Sequence, residues 1–414
     1  MDFDRGNELE KRVLIGVTKR ETHTLHVALE AVFNRDVHGN VWSAAGIEPG
    51  FWQRYLVVFD TLFIIARVRD VAGAAPAHSV IPQENISFVE LPAYRGLLAF
   101  SLALFPLLMR LSRVSAPCGS FILRLPGAIG ALLGLMLLLR RTPFAVELVG
   151  DPYDVLSGKD FSLAARLLRW PLTYVTQVLC RSSIGNTYVT ERALQQRYPA
   201  RAGKYADGIS SIDLPRSLFA RSAKIYDGRK PLRLFFCGSL AQLYKGLDVL
   251  IEAVALLSEK GKEVVVDVVG DGSFRSRLEN LAKDREVVDR FKFRGQVPRA
   301  EVFAANDAAD IFVMPSRTEG LPRAMVEAMA RGMACIGTKV GGIPELLTED
   351  ALVPPGDAKA LADAIEHAMD NPYWMNEQAK RNLAIARNFS AEVLEPRRRA
   401  FYKAIKRQTG AITP

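Results

Sequence analysis

Pro315-Ser-Arg-Thr-Glu-Gly-Leu-Pro-Arg-Ala-Met-Val-Glu-Ala-Met-Ala330 is the stretch around which the rest of the chain is organised. The apolar run at 310–314 predicts a buried strand before it, and Pro315, Gly320 and Pro322 predict a loop after that strand. A helix should follow, because proline suits a first helical turn and alanine and methionine are good helix formers. The loop then presents free backbone N–H groups and the positive end of a helix dipole, which suit an anion such as a diphosphate.

Two carboxylates in this stretch need a separate explanation. Glu319 falls in the predicted loop and Glu327 in the second turn of the predicted helix, so both can face one cleft. An acidic group beside a phosphate site suits hydrogen bonding to hydroxyls: Glu327 to a ribose, and Glu319 to a sugar ring near the bond that breaks. Alternatively, Glu319 caps the helix and Glu327 is a solvated surface residue. The spacing alone leaves both interpretations open.

The pattern E-G-L-P-x-x-x-x-E-A-M-A-x-G resembles the signature of the retaining nucleotide-sugar glycosyltransferases of family 4. That family has the GT-B fold, so the resemblance implies an α/β chain with two Rossmann-like domains facing a central cleft. It also implies transfer of a sugar from a nucleotide diphosphate sugar to an acceptor, with retention at the anomeric carbon. A narrower likeness, to enzymes of bacterial exopolysaccharide, capsule or lipopolysaccharide synthesis, rests on R-L-P-G-x-I-G, V-G-D-P-Y-D, Y-V-T-E and L-Q-x-R-Y-P.

The resemblance implies roles for several further residues of the predicted second domain. Lys245 would place a cation on the diphosphate leaving group, and the N–H groups near Gly320 and Leu321 would meet the same charge. The backbone at Val297 would meet the nucleobase. The loop from Gly238 resembles the family's phosphate loop, but Ser239 stands where the family commonly has arginine, so Arg317 or Arg323 would have to compensate.

Length and composition predict two domains and a cytoplasmic enzyme. At 414 residues and 49% hydrophobic content, the chain exceeds one ordinary core. The limits predicted from the turn at 227–231 are an acceptor-binding domain at 1–229, a nucleotide-sugar-binding domain at 230–388 and a terminal helix at 389–414 that crosses back to the first domain.

Four cysteines are scattered without metal or redox spacing, which suits a reducing cytoplasm: Cys118, Cys180, Cys237 and Cys335. The acidic amino-terminal stretch is unlike a secretory signal, and no apolar run reaches the roughly 18 residues of a membrane span.

The net charge of +9 is concentrated in the amino-terminal half. No Asp or Glu occurs between Glu90 and Glu147, and the full charges in that interval are Arg95, Arg110, Arg113, Arg124, Arg140 and Arg141. This segment suits an anionic membrane surface or a lipid-diphosphate-linked saccharide acceptor. An ordinary α/β core with arginines at helix ends explains it equally well. Nucleic acid is not expected, because no binding motif accompanies the charge.

The first domain should begin with a strand at 11–17 and a helix at 22–34. His23 and His26, three apart on that helix, could form a metal pair, but no third ligand is evident nearby, so polar surface or the acceptor cleft is the favoured place for them. A βαβ unit follows, with strands at 121–125 and 144–149. Asp151, in the turn after the second of these strands, either contacts the transferred sugar or simply starts that turn.

The predicted catalytic residues are therefore Glu319, Lys245 and Asp151. We expect no cofactor and no obligatory metal, because no dedicated Asp-x-Asp metal clamp is evident in the predicted site. Two other functions stay open: a nucleotide-sugar isomerase of the same fold, and a non-catalytic GT-B scaffold in a polysaccharide assembly complex, which the serine at 239 suggests.

Overall fold

The computed structural model describes residues 23–44, 47–76, 79–82, 84–94, 96–115, 119–156 and 163–410. Within these residues the chain forms two separate, mainly parallel sheets, one from each half of the sequence, with helices packed on them. This is the predicted α/β architecture of two Rossmann-like domains. The strand predicted at 11–17 lies outside the described residues.

The first sheet has the strand order β4-β3-β1-β5-β6-β7-β8, with every neighbouring pair parallel, and β2 pairs with β1 in the antiparallel direction. Its strands are β1 (Thr24–Arg35), β2 (Val41–Ser43), β3 (Thr61–Asp70), β4 (Ile86–Leu91), β5 (Ser120–Leu125), β6 (Ala145–Leu148), β7 (Gly185–Tyr188) and β8 (Tyr205–Gly208). Its helices are α1 (Gln53–Leu56), α2 (Leu97–Val114), α3 (Ala128–Leu139), α4 (Pro152–Val155), α5 (Leu163–Leu167), α6 (Arg169–Ser182) and α7 (Ala193–Arg197).

The predicted βαβ unit is confirmed as β5, α3 and β6. Both faces of the sheet are covered, so β5 and β6 are almost continuously buried, as parallel strands between two helical layers are. The helix predicted at 22–34 is wrong. That segment is β1, a central strand, and its helix-forming Leu, Ala and Glu residues are overridden by burial between β3 and β5.

His26 is therefore buried in the sheet and does not face the acceptor cleft. Its ring stacks between Phe63 and Phe121, with centroid distances of 5.2 and 4.8 Å. It lies near the amino end of β1, whereas ligands of parallel sheets collect at the carboxyl ends. Burial lowers the pKa of His26 from 6.5 to about 4.

The second sheet is entirely parallel, with the order β11-β10-β9-β12-β13-β14. Its strands are β9 (Leu232–Cys237), β10 (Val264–Val269), β11 (Phe291–Gly295), β12 (Ile311–Met314), β13 (Ala334–Thr338) and β14 (Leu352–Val353). Its helices are α8 (Leu247–Glu259), α9 (Arg275–Asp284), α10 (Arg299–Ala308), α11 (Arg323–Ala330), α12 (Ile343–Leu346), α13 (Ala358–Asp370) and α14 (Pro372–Ala386). Because β9 and β12 are central, the loops after them meet at the middle of this sheet's carboxyl edge.

The last described helix, α15 (Ala391–Gly410), returns to the first sheet. Phe401, Tyr402 and Ile405 are buried in the first domain's core, and the Tyr402 hydroxyl donates to Glu147 at 3.0 Å. Pro396 lies inside this helix and does not mark its start. Among the described residues, no helix is both long and apolar enough to cross a membrane.

Candidate active site

The loop after β12 has the conformation that the sequence predicts. Pro322 is the amino-terminal cap of α11, and Glu327 lies in the second turn of that helix. Thr338 at the end of β13 donates its hydroxyl to the carbonyl of Ser316 at 2.6 Å, and the N–H of Gly342 donates to the carbonyl of Gly320 at 2.7 Å. The loop is thus held in place by the neighbouring strand and turn.

Lys245 reaches this loop from the turn that connects β9 to α8. The N–H of Arg317 donates to the carbonyl of Tyr244 at 2.7 Å, which joins the two loops. Gly246 has a φ of +75°, and a Cβ there would lie 2.0 Å from the carbonyl oxygen of Pro315. Only glycine allows the backbone to approach so closely in this left-handed conformation.

The structure brings Lys245 and Glu319 together as a buried ion pair. The distance from Lys245 Nζ to Glu319 Oε1 is 2.7 Å, and the side chains are 15% and 8% exposed. The Ser316 hydroxyl donates to the same carboxylate oxygen at 2.7 Å. Burial alone would lower the pKa of Lys245, but the negative charge of Glu319 raises it above its ordinary value. Lys245 is therefore a fixed positive charge at the carboxyl edge of the sheet.

Glu327 lies on the same side of the sheet and is paired with Arg299. Arg299 Nη2 is 3.8 Å from Glu327 Oε1, and Arg299 Nη1 also donates at 3.3 Å to Glu48 of the first domain. Burial raises the pKa of Glu327, and the charges of Arg323 and Arg299 only partly oppose this. Burial raises the pKa of the Cys237 thiol to about 12, and the charges of both Glu327 and Lys245 act on this thiol. Lys245 and Glu327 therefore converge around the end of β9.

The remaining predicted donor-binding residues lie at this edge as well. Gly238 follows β9, and a Cβ there would lie 3.1 Å from the Lys245 side chain. Ser239 is exposed, and its hydroxyl oxygen accepts from the N–H of Ala241 at 3.3 Å. Val297 lies two residues beyond β11 and packs against the second domain's core.

The two arginines considered as substitutes for the missing phosphate cation differ in their surroundings. Arg317 forms a bidentate pair with Asp248, at 2.8 and 2.7 Å, and donates to the carbonyl of Leu243. Arg323 is exposed at the amino end of α11. Arg317 is therefore already paired with the carboxylate of Asp248, whereas Arg323 lies beside the predicted diphosphate position.

Gly320 and Leu321 contact the first domain across the cleft. A Cβ on Gly320 would lie 2.6 Å from the carbonyl oxygen of Val149 and 3.4 Å from Val189. Leu321 packs against the hydrophobic cores of both domains. The loop that carries Glu319 is consequently clamped between the two sheets.

Glu345 forms a second bridge across the cleft. Its carboxylate accepts from the backbone N–H groups of Glu191, Arg192 and Ala193 at 2.6 to 2.9 Å, where α7 begins. Its partners lie more than 150 residues away, and no local pattern indicates that contact.

Asp151 caps the short helix α4, accepting from the N–H of Tyr153 at 2.9 Å. Its carboxylate also accepts from the Tyr198 hydroxyl at 2.6 Å and from Arg197. The side chain is 9% exposed. Asp151 therefore starts the turn after β6, as one of its two predicted roles requires. Any contact with a sugar would be made in addition to these three hydrogen bonds.

Arg299 and Ser316 are site residues that sequence reasoning missed. Arg299 lies four residues beyond β11, and Ser316 lies in the loop after β12, but neither position in the sequence shows that they reach Glu327 and Glu319. Across the described part of the chain, no three His, Cys, Asp or Glu side chains are grouped as a metal ion would require.

A family comparison matches residues 223–387 to the family described as "Glycosyl transferases group 1". The chain carries a group 1 glycosyltransferase domain. The match covers the second sheet and the site at its carboxyl edge, including Lys245, Glu319 and Glu327. It identifies a glycosyltransferase and lends no support to the isomerase alternative.

Two bacterial relatives resemble different lengths of this chain. Protein CapJ of Staphylococcus aureus is 25% identical over 343 residues, which are 81% of this chain and 84% of CapJ. The amylovoran biosynthesis glycosyltransferase AmsK of Erwinia amylovora is 37% identical over 142 residues, which are 32% of this chain and 35% of AmsK. The likeness to AmsK thus spans about a third of either chain.

The fold is that of the GT-B glycosyltransferases. HepE of Anabaena, solved in complex with UDP and glucose, superposes with a TM-score of 0.65 at 18% identity, covering 92% of this chain and 100% of HepE. The superposition extends over both domains. The prediction of a GT-B fold is therefore confirmed.

Proposed function

We propose that this glycosyltransferase moves a sugar from a nucleotide diphosphate sugar to a saccharide or lipid-diphosphate-linked acceptor, with retention, in bacterial surface polysaccharide synthesis. The observation that carries this proposal is the buried pair of Lys245 and Glu319, 2.7 Å apart at the carboxyl edge of the second sheet. The relative AmsK, an amylovoran biosynthesis glycosyltransferase, supports the polysaccharide setting.

The pair supplies the two charges that sugar transfer requires. As the bond to the diphosphate breaks, negative charge grows on the departing phosphate and positive charge on the sugar ring. Lys245, which is paired with Glu319, and the amino end of α11 would stabilise the first charge. Glu319 would hydrogen-bond the sugar hydroxyls and favour the second. A diphosphate bound beside Lys245 would also give that lysine a second counter-charge besides Glu319.

Glu327 and Val297 would hold the nucleoside. Glu327 is 18% exposed and lies within 3.8 Å of Arg299, so a ribose hydroxyl could replace the water that still reaches its carboxylate. The backbone at Val297 would meet the base edge. HepE was solved with UDP, which makes uridine diphosphate sugars the first donors to test.

Thermal unfolding of the full chain with uridine, guanosine and adenosine diphosphates tests the donor site. A ligand at a hundred times its dissociation constant stabilises the native state by about 2.7 kcal/mol. One nucleotide series should raise the Tm of the wild type, and Glu327→Ala should abolish most of that rise. Glu301→Ala, which removes an exposed glutamate of α10, serves as the matched control and should respond like the wild type.

Absence of any nucleotide shift, even with membrane lipid present, would instead favour the non-catalytic scaffold. Retention is tested separately by proton NMR of the transferred sugar, which should keep the anomeric configuration of the donor. An inverted product would remove the retaining mechanism while leaving the donor assignment in place.

The first domain offers a surface that fits an anionic membrane. Helix α2 exposes one apolar stripe, spaced as one helix face: Leu98, Leu102, Phe105 and Met109. The neighbouring helices α3 and α6 add Leu139 and Trp170, which are 86% and 59% exposed. Exposed Arg110, Arg113, Arg140 and Arg141 flank these side chains. Apolar insertion combined with flanking arginines favours a bilayer that contains anionic lipid.

Co-sedimentation with vesicles tests this surface. The full chain should bind vesicles of phosphatidylcholine with phosphatidylglycerol, bind phosphatidylcholine alone more weakly, and release as salt is raised. The double variant Leu102→Ser with Phe105→Ser should lose binding, whereas Tyr373→Ser, at an exposed aromatic of the second domain, should not. Equal binding by all three chains would refute the assignment to α2.

A further inference from the structure

The short helix α7 of the first domain is held at its amino end by the second domain. The Glu345 carboxylate accepts the backbone N–H groups of Glu191, Arg192 and Ala193 at 2.6, 2.9 and 2.7 Å. Because the acceptor is charged, these hydrogen bonds are stronger than bonds between neutral groups. The other charged contact across the cleft, described above, joins two side chains that are 42% and 66% exposed, so it contributes little.

The carboxyl end of α7 holds Asp151. Arg197, the last residue of the helix, donates through Nη1 to one Asp151 oxygen and, at 3.1 Å, to Asp154. Tyr198, the next residue, donates its hydroxyl to the other Asp151 oxygen at 2.6 Å. The position of the Asp151 carboxylate is therefore set by α7.

Glu345 is also joined to the loop that carries Glu319. The N–H of Glu345 donates to the carbonyl of Gly342 at 3.1 Å, and the N–H of Gly342 donates to the carbonyl of Gly320 at 2.7 Å. Gly341 has a φ of +51°, and a Cβ there would lie 1.9 Å from the carbonyl oxygen of Glu319. The turn before Glu345 therefore rests directly on the backbone of the Glu319 loop.

A continuous path of contacts thus joins two predicted catalytic carboxylates across the cleft. It runs from Glu319 to Glu345, then along α7 to Arg197 and Asp151, and we call it the α7 link. Helix α7 has only five residues, so it spans about 7.5 Å. Leu194 within it is 3% exposed and packs in the first domain's core, which makes α7 a fixed support for both of its ends.

We propose that Glu345 is a positioning residue for sugar transfer, which fixes the Glu319 loop relative to Asp151 through the α7 link. This assignment rests on the proposed transferase function, in which both carboxylates orient one sugar. The Glu345 carboxylate bonds to backbone N–H groups of the first domain, so it acts through the alignment of the two domains. Its loss should reduce turnover and leave nucleotide binding, which belongs to the second domain, unchanged.

Steady-state kinetics on the full chain test this split. The substrate is whichever of UDP-glucose, GDP-glucose and ADP-glucose the wild type hydrolyses. Glu345→Gln keeps the size of the side chain but replaces one acceptor oxygen by an NH2 donor. Its kcat should fall about tenfold to a hundredfold, because a displacement of about 1 Å at the reacting groups costs that much. Its dissociation constant for the nucleoside diphosphate should equal that of the wild type.

Glu349→Gln is the matched control, because the Glu349 side chain is 77% exposed and lies four residues beyond Glu345. It should keep both the kcat and the nucleotide affinity of the wild type. A Glu345→Gln variant with the kcat of this control would overturn the positioning role. Weakened nucleotide binding together with an unchanged kcat would overturn it as well.

A double-mutant cycle tests whether the effect passes along α7. Arg197→Ala frees the opposite end of the link and should also lower kcat without changing nucleotide affinity. Since both substitutions disturb one alignment, the double variant should lose less than the product of the two single losses. Losses that multiply would mean that Glu345 and Arg197 act independently, and the α7 link would fall. Arg201→Ala, at an exposed arginine beyond the helix, is the control for this end.

Hydrogen exchange separates positioning from a general loss of stability. In Glu345→Gln, peptides that cover 190–194 and 316–322 should exchange faster, whereas strands β9 and β10 of the second core should exchange as in the wild type. Faster exchange throughout the chain would assign the kinetic loss to instability and would overturn the proposal.

The same measurements distinguish failure of this proposal from failure of the proposed function. If the wild type binds a nucleoside diphosphate and hydrolyses a donor while Glu345→Gln matches its kcat, only the positioning role is lost. If the wild type binds no nucleotide and hydrolyses no donor, the transferase function falls and the positioning role falls with it.

Discussion

Replacing Glu319 by glutamine tests the central pair of the site. The substitution keeps the size of the side chain and can still accept the Ser316 hydroxyl, but it leaves Lys245 buried without its counter-charge. Removing one partner of a buried ion pair costs about 3–5 kcal/mol, and the partial exposure of Lys245 favours the lower end. Because 1 kcal/mol shifts the Tm of a domain this size by about 2–4 °C, the Tm should fall by about 6–12 °C.

A second substitution in the same chain separates stability from chemistry. Lys245→Met removes the stranded charge, so the double variant should regain at least half of the lost Tm in scanning calorimetry. Its transfer activity should nevertheless stay about 10²–10³-fold below wild type, because the charge that meets the leaving group is gone. Glu366→Gln, which breaks a pair with Lys260 on the exposed surface, is the control and should hardly move the Tm.

Two results would refute this reasoning. A Glu319→Gln variant as stable as the wild type would mean that Lys245 is adequately solvated without its partner. A double variant that keeps transfer activity would mean that neither charge takes part in the reaction. Either result can be obtained before the natural acceptor is known, since slow hydrolysis of the donor provides a readout.

Three further outcomes follow from single residues. His26 has a pKa of about 4 in the folded chain and 6.5 unfolded, so the unfolded state binds more protons between these values. Stability should therefore drop by about 3 kcal/mol as the pH falls from 6.5 to 4, and His26→Phe should flatten that drop in urea unfolding. Gly246→Ala should lower the Tm and weaken nucleotide binding more than Gly261→Ala, since both have a left-handed φ but only the first collides with backbone. Glu345→Ala should speed proteolysis between the domains, whereas Glu349→Ala, at a 77% exposed side chain, should not.

The sequence predicted the parts of this molecule that depend on local pattern. Glu319 and Glu327 belong to one strand, loop and helix, so their spacing was enough to place them at one edge of the sheet. The pairing of Lys245 with Glu319 spans 74 positions and depends on how two loops meet. The sequence suggested a shared ligand for these residues but could not show the direct contact.

The errors have the same physical origin. Residues 24–35 are rich in helix-forming residues, yet the sheet makes them a central strand because both of their faces are buried. Glu345 acquires its surroundings only when distant segments pack. The domain limits, and the catalytic roles of Lys245, Glu319 and Asp151, remain predictions for experiment.

The return of α15 to the first sheet affects the order in which the molecule can fold during synthesis. Phe401, Tyr402 and Ile405 complete the hydrophobic core of the first domain, yet they leave the ribosome after the whole of the second domain. The second domain can bury its own core as soon as its last helix has emerged. The first domain can therefore complete its core only after the second domain has been synthesised, and the nascent first domain exposes apolar surface until α15 arrives.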